Sequence, residues 1–350
     1  MTMRNSLLLA ASAIAMLAAA CSSPTSAPAR DAPESGVPDG GHAFDSGTVR
    51  EVDSSKAPAY PLLLSQAGLY QDLATETLAP GLRPYTPRYE LWSDGAEKRR
   101  FIYLPPGARI DTSNMDYWQF PQGTKLFKEF SRDGVRVETR LLGKIGPDAD
   151  DWVMVAYVFR PDGSDADARP EGVVDALGTP HNVPTAAECG WCHDRLAGRI
   201  AGFSAIQLDH EGPGLTLESL ALEGALSDPP AGRYVIPGNA TEQAALGYLH
   251  ANCGQCHNSA TRVTPMELWL GVSSLDAVTS TPTYRTAVDA RAQLFFPGAS
   301  ATILIVPGNP EASMLYQRFV LGSMPGLVEI VDPTARELLK TWIASILPSP

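Results

Sequence analysis

The chain has 350 residues and carries 39 acidic against 27 basic side chains, a formal net charge of −12. That balance excludes a protein that holds nucleic acid by neutralising phosphates, and it suits a basic partner attracted in a salt-sensitive way. The length points to two or three domains, and 30 Gly with 30 Pro point to many loops rather than long helical bundles.

Arg4 precedes an apolar run, Leu7 to Ala20, that ends in small residues. A basic start, a short apolar centre and a small-residue end read as a signal peptide over residues 1–20. The run is too short for an ordinary membrane span. Its end, Leu17-Ala18-Ala19-Ala20-Cys21, resembles a bacterial lipoprotein signal. Cys21 is then the lipid attachment residue, and Ser22 directs the protein to the outer membrane of a Gram-negative cell by resemblance to that sorting rule. Cleavage at an A-x-A site, leaving a soluble periplasmic protein, is the alternative. Residues 21–58 are rich in Ser, Pro, Ala, Gly and Asp and read as a disordered tether, because they bury too little to offset their ordering entropy. His42 within them reads as a solvated residue.

Residues 59–180 read as a β-rich domain. After a short helix-like piece within Pro61 to Leu73, the runs Tyr89–Trp92, Arg100–Leu104 and Tyr117–Phe120 are aromatic or β-branched and bounded by turn residues. Val135, Val137, Thr139 and Leu141 alternate with Arg136, Glu138 and Arg140, as in a half-buried strand. Trp152 to Phe159 is apolar on both parities, as in a central strand. Seven or so strands of this kind predict a sandwich or small barrel. Asp94, Glu97 and Lys98 form a dense polar patch, read as a turn with local ion pairs; an active or docking site is the rival reading.

Residues 181–233 carry Cys189-Gly190-Trp191-Cys192-His193. Thr185 with Glu188 three positions on is a capping box that should start a helix through the motif. A C-x-x-C-H run reads as a covalent c-type haem site: two thiols add to the vinyl groups and the histidine, His193, ligates iron. The second ligand is open between His210, His181 and Met154, or an open iron. Bis-His ligation usually lowers the potential relative to His/Met, and an open iron permits ligand chemistry.

Residues 234–350 carry the second copy, Cys253-Gly254-Gln255-Cys256-His257, 64 positions after the first. Asn239 should cap a helix over Thr241 to Ala251. Asn309-Pro310 starts a helix over Glu311 to Val320 that places Met314 in the core. Asp332-Pro333 should open a closing helix with Leu338, Leu339, Trp342, Ile343 and Ile346 on one face. His250 reads as a partly exposed helix residue. Met266, nine positions after His257, is too near to reach the opposite face of a haem. Val235-Ile236-Pro237-Gly238-Asn239 and Ile305-Val306-Pro307-Gly308-Asn309 read as repeated turn-and-cap chemistry. Four of the five cysteines lie in the two motifs, and Cys21 is the fifth, so no thiol is left for a structural disulfide.

Leu91-Trp92-Ser93-Asp94-Gly95-Ala96-Glu97-Lys98-Arg99-Arg100-Phe101, Phe120-Pro121-Gln122-Gly123-Thr124, Lys128-Glu129-Phe130 and Glu138-Thr139-Arg140-Leu141-Leu142 resemble a little-characterised family of exported bacterial diheme c-type cytochromes with an extra N-terminal β domain. The likeness runs from about Tyr60 to the C-terminus. It implies two covalently bound c-type haems and electron transfer between redox partner proteins. A parallel β-helix repeat protein is a candidate partner, because family members are associated with one. The last segment further resembles a class I cytochrome c, and Gly322-Ser323-Met324-Pro325-Gly326 its distal loop, which implies Met324 as the iron ligand opposite His257. The expected fold class is therefore α+β multidomain: a β-rich sandwich or barrel, then mainly α cytochrome c-like haem domains. Three functions remain in play: an electron-transfer module, a diheme peroxidase- or oxidase-like enzyme with one open iron, and a zinc or redox-thiol protein.

Overall fold

A computed structural model describes residues 58–261, 265–294, 296, 298–325 and 328–348. The signal segment, Cys21, the tether with His42, and Gly326 of the Met-Pro loop lie outside the described residues. Lys56–Pro350 belong to one compact unit.

The centre is one open antiparallel sheet in plain sequence order: β3 (Leu82–Pro84), β4 (Glu97–Tyr103), β5 (Lys125–Arg132), β6 (Val135–Lys144), β7 (Trp152–Phe159) and β8 (Ala166–Ala168). A small hairpin, β1 (Tyr70–Asp72) with β2 (Thr77–Leu78), precedes it. Register fixes the two faces, since side chains alternate along a strand. Phe101, Phe127, Leu141 and Val155 are cross-strand neighbours, and they share a core with Leu64, Leu69, Tyr70 and Tyr157. One residue on, Ile102, Leu126 and Leu142 are also neighbours, but they pack with Phe120, Phe203, Leu208 and Leu215. The second layer on this face comes from the segment after the first motif, not from another sheet.

The fold-class expectation is therefore corrected. The β-rich part is neither a sandwich nor a barrel. Alternation specifies which faces are buried, not what buries them. The C-terminal part is not mainly helical: the chain has few helices, seven among the described residues, at 25 % helix. They are α1 (Ala186–His193), α2 (Ala205–Leu208), α3 (Leu217–Leu222), α4 (Ala240–Asn252), α5 (Pro282–Ala287), α6 (Met314–Val320) and α7 (Pro333–Ser345). Pro282 and Pro333 open α5 and α7, and Pro310 opens a 3-10 turn, at the first position, where a missing N–H costs no intrahelical bond.

Two expected strands are also absent. Tyr89 N–H donates to Gln207 Oε1 at 2.9 Å and Trp92 N–H to Asn252 Oδ1 at 2.6 Å, so that stretch bonds side chains instead of a neighbouring strand. Tyr117–Phe120 retains only an isolated bridge, Asp111 to Gln119. The capping predictions hold. Thr185 and Glu188 form the reciprocal box on α1, Asn239 caps α4, and Asp332 caps α7. The helix expected from Asn309 is a 3-10 turn, Pro310–Ala312, followed by α6, and Met314 is buried. Gly238 and Gly308 of the two echoed turns both have positive φ, 101° and 74°, and each Asn that follows caps a turn.

Leu339, Trp342 and Ile343 of α7 are fully buried against Leu246 and Leu249 of α4. Leu339→Ala should lower the unfolding free energy by about 2–5 kcal/mol, the usual range for a truncated core leucine. Denaturant unfolding at constant slope measures it.

Candidate functional site

The two C-x-x-C-H motifs lie side by side. The second cysteine of each lies by the other: Cys192 and Cys256 are close enough to shift each other's pKa. Cys256 Sγ also lies 3.6 Å from Arg195 Nη1 and 3.6 Å from the Trp191 carbonyl. The interaction with Cys192, helped by the Arg195 charge, lowers the Cys256 pKa, and the same interaction with burial raises that of Cys192. Asn258, directly after the second motif, donates to the Arg195 carbonyl at 3.3 Å. Burial raises the Cys189 thiol and pushes Cys253 up to about 12.

The two motif histidines are prepared alike. His193 Nδ1–H donates to the Arg199 carbonyl at 2.6 Å, and burial pushes its pKa down to about 4 despite that bond. The His257 pKa is lowered by burial too, and its ring is hydrogen-bonded to the Met266 backbone. A neutral imidazole with Nδ1–H given to a carbonyl keeps its lone pair on Nε2, the usual arrangement of a metal-ligating histidine. Gly254 allows the second motif to close. A Cβ there would stand 2.6 Å from the His250 carbonyl oxygen and 3.0 Å from Trp269 Cα.

His250 is not partly exposed, as expected, but only 1 % exposed. Its Nδ1 accepts from Leu270 N–H at 3.0 Å, and its ring lies 4.2 Å from that of Trp269. Leu268 N–H and Trp269 N–H both donate to the His257 carbonyl, at 2.7 and 3.2 Å. The return segment after the motif is thereby fastened to α4 and to His257. Met266 lies in the core with Leu246, Leu249, Leu268 and Trp342.

The candidates for the first iron's second position differ in engagement. Both nitrogens of His210 are taken: Nε2–H donates to the Thr86 carbonyl at 2.6 Å and Nδ1 accepts from Gly212 N–H at 2.8 Å. His181 is buried on the sheet face that carries Phe130, and among the described residues only its Nε2 is engaged, with Glu138 Oε1 at 2.7 Å. Met154 lies on β7, across from Leu142 on β6. Glu138 is fully buried and also holds Arg140. Arg140 in turn acts electrostatically on Cys189, Cys192 and His193. Met324 sits on an exposed loop at 36 % exposure. Its neighbour Ser323 is held by Arg318 through Nε–Oγ at 2.7 Å, and the Arg318 charge reaches His257.

The polar patch at Asp94 is a long-range clamp, which sequence reasoning missed. Asp94 Oδ1 accepts from Glu329 N–H at 3.0 Å and Ile330 N–H at 2.8 Å. Trp92 Nε1–H donates to the Ile330 carbonyl at 2.7 Å, and Asn182 reaches Glu329 at 2.7 Å. The loop before β4 and the first motif's approach thus meet the segment that follows Met324, and Asn252 of α4 holds Trp92. The positive φ of Asp94, 52°, was signalled only by the Asp-Gly pair that reads as a turn.

Among the described residues no group of three or more His, Cys, Asp or Glu is arranged to hold a metal ion. The four motif thiols are therefore not gathered into a tetrahedral zinc site. Two separate Cys-Cys-His sets, each with a neutral and oriented imidazole, fit covalent haem. No protein-family model matches the chain, no curated protein matches it, and no solved structure matches it.

Burial pushes the His250 pKa down to about 3. The folded chain keeps this ring neutral, whereas the unfolded chain protonates it below about pH 6.5. Stability should therefore fall as pH drops from about 6.5 to about 3. His250→Gln, which preserves an acceptor for Leu270, should reduce that slope by up to one proton in urea titrations.

Proposed function

We propose that this chain is an exported diheme c-type cytochrome that passes electrons between redox partners of the cell envelope, anchored to the outer membrane through lipid on Cys21. The observation that carries this reading is the junction of the two motifs, Cys192 against Cys256. Thioether attachment at those two sulfurs would bring the edges of two porphyrins to neighbouring points, which suits passage of an electron from one to the other.

Haem iron supplies the one-electron chemistry. The chain's residues do the positioning. Arg199 and Met266 hold the two imidazoles through the backbone, Glu138 and Arg140 set the field beside the first motif, and Arg318 holds the turn at Ser323 that presents Met324. Met324 is the proposed second ligand at the second site, where a thioether favours the ferrous state. At the first site we assign His181 over His210. A carboxylate on one imidazole nitrogen leaves the other for iron, whereas His210 has neither nitrogen free.

Protein matured with a haem-attachment apparatus should show an intact mass two porphyrins above the chain. Replacing Cys253 and Cys256 by Ser should remove one porphyrin, and an unchanged mass would end the reading. Met324→Ala should abolish the long-wavelength absorption of oxidised His/Met iron. His181→Ala should open the first iron to carbon monoxide, while His210→Ala should not. Binding of carbon monoxide to the unmodified protein would favour instead a peroxidase- or oxidase-like enzyme.

A further inference from the structure

The sheet face beside the first motif carries a row of cations. Arg100, Lys128 and Arg140 are direct cross-strand neighbours on β4, β5 and β6, and Lys98 shares their parity. Two carboxylates meet this row. Glu138 holds Arg140, and Glu90 Oε2 lies 3.2 Å from Arg100 Nη2. The ammonium groups of Lys98 and Lys128 have no hydrogen bond or ion pair among the described residues, although Lys128 lies 5.0 Å from the Phe130 ring centroid. Both lysines are half-buried, and burial with the neighbouring cations lowers their pKa values, that of Lys98 to about 8. Glu90 and Asp94 act on Lys98, and Glu138 on Lys128, only at longer range, and two partly desolvated cations without a direct partner among the described residues are unexpected in a chain of net charge −12.

The row has a direction. Arg140 and Lys128 both act on Cys192 and His193. Arg100 and Lys98 lie farther out, with Arg100 on β4, two strand spacings or about 10 Å from Arg140. In a c-type haem the thioether bonds sit on one edge of the porphyrin and two propionate carboxylates sit on the edge away from them. The row therefore leads from the attachment cysteines outward, with Lys128 in its middle, across from Arg100, and Lys98 at its outer end.

We propose that Lys98 and Lys128, with Arg100 between them, are the seat for the propionate carboxylates of the haem tethered at Cys189 and Cys192. This gives the β sheet a part in the redox site: it supplies the counter-charge of the first haem. The inference rests on the diheme reading. It accounts for cations left unpaired on a face that is otherwise packed. Charge-assisted bonds from lysine or arginine to carboxylates are the strong kind, and positive charge beside the porphyrin favours the ferrous state.

The test uses full-length protein matured with both haems. Lys98→Gln/Lys128→Gln is compared with wild type and with Lys340→Gln, a control on α7 whose ammonium pairs with Glu311. Haem content by pyridine haemochrome comes first, then a spectroscopic redox titration. The double variant should keep two haems and show one midpoint moved to more negative potential, with the other midpoint and the control unchanged. Two attached haems with both midpoints unmoved overturn the seat and leave the diheme reading standing. Absence of haem from wild type overturns the diheme reading itself. Should the lysines hold a free anion instead, sulfate added at constant ionic strength would move the wild-type midpoint but not that of the variant, and the propionate assignment fails. If the double variant loses haem, the single variants Lys98→Gln and Lys128→Gln are titrated by the same criteria.

Discussion

Cys192 and Cys256 stand close enough to shift each other's pKa, Cys256 Sγ lies 3.6 Å from the Trp191 carbonyl, and much of the chain around them serves to keep them there. Neither motif has enough helix of its own to fix its position. α1 has eight residues and none of them is fully buried, so it rests on its cap and on β7 rather than on an apolar face. The second motif leaves α4 at its C-terminal end and is closed by the return segment, through the His257 carbonyl and the buried ring of His250. The physical constraint is the need to keep two imidazoles neutral while aligning them. Backbone carbonyls meet it in both motifs, since they orient a ring without adding charge.

The sheet does more than fill space. One face closes over the N-terminal hairpin. The other is apolar at one end, where Phe203 and Leu208 cover Ile102 and Leu126, and cationic towards the motif. Glu138 is buried among these cations because it bonds both Arg140 and His181; a buried carboxylate without such partners would be too costly. The opposite face repeats the device with Glu129, which receives Arg99, Arg136 and Tyr70. There the cations are matched, and the network reads as structural. The contrast marks the Lys98 and Lys128 face as the one prepared for another anion.

Much of the local structure was legible. The caps at Thr185, Asn239 and Asp332, the strand Trp152–Phe159 and the apolar face of α7 follow from short-range patterns, and these survive in the fold. The layering was not legible. Alternation in β6 reads as a strand with one buried face, yet Glu138 on the other face is buried too, and alternation does not say whether a sheet or loops cover either. Tyr89–Trp92 has strand composition, yet its backbone is satisfied by Gln207 and Asn252, more than a hundred residues away. His250 was misread for the same reason. Its burial comes from Trp269 and Leu270, which only folding brings near.

The sequence by itself determined the donor sets. C-x-x-C-H spacing keeps two thiols and an imidazole within five consecutive residues whatever the surrounding fold, because four peptide links limit how far apart they can stand. It also determined the i, i+2 spacing of Lys98 with Arg100 and of Glu138 with Arg140, hence that each pair shares a sheet face. Only the tertiary structure decided that the two motifs touch, that Asp94 reaches Ile330, that His210 has no free nitrogen, and that the cations of three strands form one row. Those facts depend on register and on long-range hydrogen bonds, whose partners are set by the burial of whole faces and not by any local run of residues.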